Sequence, residues 1–150
     1  TPTQIPATVT AALRLRLHPT PVTRAEDLMP AFARISATDA WAAIALSDPA
    51  TIDRLRTAIA DLALKHGVPS AESFRDGPAA GCLLSYGIDL KDMHRHSAVF
   101  VDKILKGARP ADLPVERPTK FELVLNLKTA RALGIAIPQS VLQRADEVIE

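Results

Sequence analysis

The sequence predicts an α/β fold: three layers, with a mainly parallel sheet flanked by helices. Short apolar runs and segments of helical period alternate about five times along the chain. The connections between them are short, and most helical segments carry their own start and stop residues. Parallel neighbours need crossovers, and right-handed crossovers place helices on the faces of a sheet.

Residues 1–9, TPTQIPATV, hold two prolines and three threonines without a helical period and read as a loose lead-in, leaving residues 10–150 as a single lobe. Leu13, Leu15 and Leu17 alternate with Arg14, Arg16 and His18, so residues 12–18 are expected to be the first strand, with the basic side chains on its wet face. Thr23 and Glu26 have capping-box spacing and open a helix with Leu28, Phe32 and Ile35 on its inner stripe. The continuous apolar run AWAAIAL at residues 40–46 reads as a strand covered on both faces. Asp48 then caps, Pro49 takes the first helical position, and Ile52, Leu55, Ile59 and Leu62 form the stripe of a helix that Gly67 ends after Lys65 and His66.

A short strand is expected near residues 68–71, and residues 73–81 read as a loop or broken helical turn. Residues 82–86 make the next strand, ended by Gly87. Asp89 or a neighbour caps a helix over residues 91–105, with Met93, Ser97, Phe100, Val101 and Ile104 facing inward and Gly107 at its end. Pro110, Pro114 and Pro118 punctuate the crossing to a strand in which Phe121, Leu123 and Leu125 alternate with Lys120, Glu122 and Asn126. Asn126 stands at an N-cap position before the helical run 127–133, Gly134 stops that run, and Pro138 opens a final helix.

Composition narrows the function classes. Apolar residues make up 47% of 150, enough for a real core, while no run approaches the ~18–20 apolar residues of a membrane span. A net charge of +1, scattered basic residues, one Trp and one Tyr argue against nucleic acid as a partner. Cys82 is alone, so no internal disulfide is expected. The chain shows no signal-peptide pattern and starts at Thr1, which reads as a mature, trimmed or excised product.

In open parallel sheets, ligands gather at the carboxyl ends of strands. Four places qualify: Ser47 and Asp48, Glu72 and Ser73, Ser85 and Tyr86 with Asp89 after Gly87, and Asn126 after the last strand. Ser47 and Asp48 also read as helix caps, a role compatible with seating a ligand carboxylate on the helix N–H groups. Tyr86 could stack on a ligand or fill a gap. His94 and His96 are two apart on a helix and point roughly 200° from each other, so they cannot share a metal ion. Asp89 and Asp92 suit the start of a helix better than acid–base work. Neither a phosphate-binding glycine loop nor a Gly-x-Ser-x-Gly elbow is present, and the reading is a non-enzyme without a cofactor.

From about residue 13 to residue 150 the chain resembles the second half of a family of bacterial substrate-binding proteins of ABC transporters. These are uncharacterised or aromatic-amino-acid-binding components with a type I periplasmic-binding-protein fold. The resemblance is carried by SDPATIDRLRTAIADLALKHGVPS, by Ser85-Tyr86-Gly87, by the run Val101-Asp102-Lys103-Ile104-Leu105-Lys106-Gly107 and by Pro118-Thr119-Lys120-Phe121-Glu122. Position by position it implies ligand contacts at Ser47, Asp48, Glu72, Ser73, Ser85, Tyr86 and Asp89. Between residues 68 and 81, Ser70-Ala71-Glu72-Ser73 and Pro78 depart from the family pattern, which leaves the ligand open.

The resemblance further implies two lobes with the ligand in the cleft between them, a small polar or amino-acid-like ligand, an ABC permease as partner and a periplasmic or extracytoplasmic location. Residues 82–118 would return to a first lobe that this chain does not include. The apolar stripe Met93/Phe100/Val101/Ile104 would then be covered by that lobe or by a second copy in a homodimer. The competing reading is an isolated ligand-binding half reused as a protein-interaction or sensory module. A small receiver-type enzyme lacks the acids it would need at the ends of the first and third strands.

Overall fold

Among the described residues, 7–46 and 49–150 of the computed structural model, five strands form one sheet in the order β1-β2-β3-β4-β5. Helix α1 (Ala7–Ala12) and an irregular stretch precede a 3-10 turn (Ala25–Asp27) and α2 (Leu28–Ser36). Then come β1 (Ala43–Ala45), α3 (Pro49–Lys65), β2 (Ser70–Glu72), α4 (Asp76–Ala80), β3 (Leu84–Ile88) and α5 (Leu90–Leu105). A second 3-10 turn (Pro110–Asp112) leads to β4 (Phe121–Asn126), α6 (Leu127–Ala132), α7 (Gln139–Leu142) and β5 (Glu147–Ile149). The fold is α/β, as expected, but the sheet is mixed: β3 and β4 run antiparallel while the other pairs are parallel.

One face of the sheet carries the core. Ser70 and Glu72 on β2, Ser85 on β3 and Val124 and Asn126 on β4 are buried, and the registers Glu72↔Ser85 and Ser85↔Val124 put them in one row. Arg56 of α3 reaches Glu72, and the Asn126 side chain reaches the Pro78 carbonyl of α4, so both helices lie over this face. Leu55, Ala60 and Ala63 of α3 and Leu28, Ala31 and Phe32 of α2 complete the packing, with the Phe32 ring 5.6 Å from that of His66. The opposite face is apolar and only partly covered: Leu125 is buried, while Ile44, Tyr86, Phe121 and Val148 are exposed. β1 is an edge strand with Ile44 pointing to solvent, not a strand covered on both faces. Cover on each face comes from what packs onto the sheet, which the apolar run alone does not reveal.

Two further expectations change. Residues 12–18 form no strand: α1 runs into turn and irregular backbone, with Leu13, Leu15 and Leu17 exposed and Arg16 and His18 paired with Asp39. Alternation supplies one face for a sheet but cannot supply the partner strand. Gly87 does not end β3, which continues through Ile88. Gly87 is there for space: a Cβ would sit 1.9 Å from the Ser73 carbonyl oxygen, because the backbone after β2 crosses directly over it.

Local start and stop signals hold well. The Asp89 side chain accepts from the Asp92 N–H at 3.0 Å and begins α5; Asn126 accepts from the Thr129 N–H at 3.0 Å and begins α6. Gly67 takes φ 68° just past α3, in the left-handed region that closes helices. Before α2 the cap acid is Asp27 in place of Glu26, its Oδ2 accepting from the N–H groups of Thr23 and Arg24 and from the Thr23 hydroxyl. Those three bonds hold the Asp27 carboxyl below the usual carboxylate range, the Thr23 N–H contributing most. Pro138 opens only a short helix, α7, and the expected final helix gives way to β5, which adds to β4 in parallel.

Helix α5 is the outlier. It buries none of its side chains; Val101 and Leu105 are exposed, and Met93 and Phe100 are only half-buried. The stripe read as inward-facing finds only partial cover, at Met93 and Phe100, from the described residues of this chain.

Candidate functional site

The parallel strands β1, β2 and β3 point their carboxyl ends the same way, and the residues that follow them define the candidate edge. Because β4 is antiparallel to β3, its first residue, Phe121, belongs to that edge, and its last, Asn126, lies at the opposite end. Asn126 is thereby removed from the site: it is buried, caps α6 and donates Nδ2–H to the Pro78 carbonyl at 2.8 Å. Ser47 and Asp48 lie outside the described residues.

Glu72 closes β2, and its side chain is 2% exposed. Its Oε1 accepts from Arg56 Nε at 2.9 Å, and Arg56 in turn donates to Asp53 at 2.7 Å. A Cβ at residue 77 would fall 2.3 Å from the Glu72 Cγ, so Gly77 is what lets α4 close over this carboxylate. Burial pushes the Glu72 carboxyl above its ordinary value against the pull of Arg56. Ser85, its register partner, is 1% exposed and also buried under α4's side of the sheet. Both residues are therefore built into the wall, not displayed on its surface.

Ser73 is half-buried, and its backbone is the segment crossing Gly87. Two residues on, Arg75 pairs with Glu122 of β4 at 3.6 Å and with Glu147 of β5. Tyr86 points to the other face, 63% exposed, and its ring stacks on Phe121 at 5.9 Å and 21°. Ile88↔Phe121 pairing makes these two rings diagonal neighbours across β3 and β4. Asp89 is engaged twice: its Oδ2 lies 2.7 Å from Lys120 Nζ, and its N–H donates to the Lys120 carbonyl at 3.1 Å. The Lys120 hydrogen bond, followed by the Asp92 N–H, lowers the Asp89 carboxyl to about 2, and the same bond raises the Lys120 ammonium.

The structure thus unites Glu72 with Ser85 inside the wall, leaves Ser73 half-buried and leaves Tyr86 open. Asp89 ties the end of β3 to the start of β4 through Lys120. Phe121, Lys120 and Arg75 were not singled out as site residues. Phe121 was legible in the β4 alternation, but only antiparallel pairing brings it to Tyr86. Burial raises the Cys82 thiol, and the residue packs as a core side chain. His96 sits 3.0 Å from Glu116, and His66 Nδ1 is 2.8 Å from the Ser36 hydroxyl. Among the described residues no three His, Cys, Asp or Glu side chains stand together as metal ligands, and no helix is long and apolar enough to cross a membrane.

A family profile described as ABC transporter substrate binding protein matches residues 5–149. The chain belongs to this family. Solved structures agree with the assignment. A conserved domain protein from Vibrio cholerae superposes with a TM-score of 0.82 at 26% identity, over 94% of this chain and 47% of its own. An ABC domain from Streptococcus pneumoniae, solved in complex with L-Trp, superposes with a TM-score of 0.83 at 27% identity, over 95% of this chain and 48% of its own. A ligand-free, open substrate-binding protein with adhesive properties from Clostridium difficile shares the fold, with a TM-score of 0.68 at 15% identity. The chain spans about half the length of the structures it matches. No curated protein matches it.

Proposed function

We propose that this chain is the C-terminal, ligand-binding lobe of an ABC importer's solute-binding protein, acting outside the cytoplasm and delivering its ligand to a membrane permease. The observation that carries this reading is α5. A 16-residue helix without one fully buried side chain, clamped at its start by Asp89 and Lys120, suits a segment that leaves the lobe to meet another body. In the two-lobe reading, residues 82–118 are that segment and the other body is a first lobe, which would close the cleft over the strand ends. Burial of most of a small ligand needs both walls.

The ligand we propose is an aromatic amino acid. The stacked, exposed rings of Tyr86 and Phe121 offer it a flat apolar surface, and the neighbour from Streptococcus pneumoniae was solved with L-Trp. Ser73 would supply a polar contact at the same edge. Calorimetry and thermal shift with L-Trp, L-Tyr and L-Phe test the reading. A single wall should bind at roughly millimolar Kd, about −4 kcal/mol, and Tyr86→Ala should abolish binding. Silence of the whole panel at ten times that concentration would refute the ligand assignment.

The unpacked face of α5 also favours a second reading, an isolated half reused as an interaction or sensory module that pairs with another copy of itself. Light scattering at micromolar concentration separates the two: a dimer dispersed by Val101→Glu supports the module, and a monomer with a cooperative melt removes the homodimer.

A further inference from the structure

Two buried polar atoms on neighbouring strands have no hydrogen-bond partner among the described residues: Glu72 Oε2 and Ser85 Oγ. Glu72 and Ser85 are register partners on the parallel pair β2–β3, so their side chains rise from the same face on strands about 4.8 Å apart. Arg56 occupies only the Oε1 side of the carboxylate. Gly77 presses on the Glu72 stem from above, and the Ser73 carbonyl closes over Gly87 two residues beyond Ser85. The charged groups around Glu72 are Arg56, Asp53 and Asp76. A buried carboxylate oxygen and a buried hydroxyl, each left unsatisfied, would cost about 1–3 kcal/mol apiece.

We propose that Glu72 Oε2 and Ser85 Oγ form an internal hydration site that holds a single water molecule between β2 and β3. The chemistry selects the occupant. When Glu72 is ionised, as the Arg56 pairing favours, Oε2 only accepts; Ser85 can both donate and accept, and a water molecule satisfies both at once. The site is closed by α4 and the Ser73 crossing, so it suits one small neutral molecule better than a ligand arriving from the cleft. The Arg56 guanidinium, already on the carboxylate, disfavours a second cation. Such a water fixes the last residue of β2, and with it the start of the Ser73–Arg75 segment at the candidate edge. This inference stands apart from the transport reading and does not need it.

A crystal structure of the full chain at about 1.5 Å or better tests it. The expected result is a well-ordered water within about 3.2 Å of both atoms. A direct bond from Ser85 Oγ to Glu72 Oε2, or an empty site, overturns the proposal. Water–amide cross-relaxation in solution gives an independent reading. Long-lived water should be seen at Glu72 and Ser85 in the native chain and in Ser85→Thr, which keeps the hydroxyl, and should be lost in Ser85→Ala. The same signal in Ser85→Ala as in the native chain would remove Ser85 from the site, and its absence from the native chain would remove the site.

Discussion

Replacing Gly87 with alanine tests the crossing after β2 directly. The added Cβ would stand 1.9 Å from the Ser73 carbonyl oxygen, 2.9 Å from its carbonyl carbon and 3.3 Å from its Cα. Ordinary contact begins near 3.4 Å, so one backbone must retreat by about 1.5 Å. The obstacle is main chain, which cannot rotate away as a side-chain tip can, so the cost belongs at the upper end of overpacking, about 3 kcal/mol. For a chain of this size that is a fall in Tm of roughly 6–12 °C. Differential scanning calorimetry of Gly87→Ala beside Gly67→Ala is the assay. Gly67→Ala meets nothing within 4 Å and suffers only its left-handed backbone, about 1–2 kcal/mol. A Gly87→Ala chain melting within a degree of the native one, or above Gly67→Ala, would refute the close approach.

Other expected outcomes concern charges and caps. The Glu72 carboxyl is raised in the folded state, so folding takes up protons there: stability is greatest below the unfolded pKa near 4.5 and falls as pH rises through the folded value. Urea melts across pH 4–8 should show that decline, and Glu72→Gln should remove it. Arg56→Ala, by contrast, strands a buried carboxylate and should cost about 3–5 kcal/mol at pH 7 in the same melts. Asp89 is lowered to about 2, chiefly by Lys120, so its contribution is complete above pH ~4 and is lost as pH falls toward 2. Lys120→Met should bring the Asp89 titration, followed by NMR, back toward 3.8. Asn126→Ala removes both the α6 cap and the bond to Pro78, a loss of about 2–3 kcal/mol by denaturant melting. Asn126→Asp keeps the cap but sets a carboxylate against the Pro78 carbonyl, and should also destabilise.

Signals that act within a few residues were readable. Pro49 opens α3, and Gly67 closes it through a left-handed backbone, while Asp89 starts α5 and Asn126 starts α6 through side-chain bonds to near neighbours. What could not be read depends on partners far along the chain. Among the described residues the Leu13–Leu17 alternation joins no strand, and Ile44 faces solvent because no described element covers that face of β1. Gly87 looked like a terminator because a glycine in sequence does not reveal that another backbone crosses it. β5 is three residues long, too short to announce itself by period. The site followed the same rule. The strand-end positions were readable, but whether Glu72 and Ser85 open to a cleft or sit inside the wall depends on Gly77 and α4. Asn126 left the edge only because β4 reverses direction.

Arg75 bears on how the molecule can be handled. Its guanidinium reaches Glu122 and Glu147, binding the segment after β2 to the last two strands, so the C-terminal residues help hold a loop some seventy positions upstream. Truncation before Glu147, or an affinity tag that pulls this strand away, would loosen that loop without touching it.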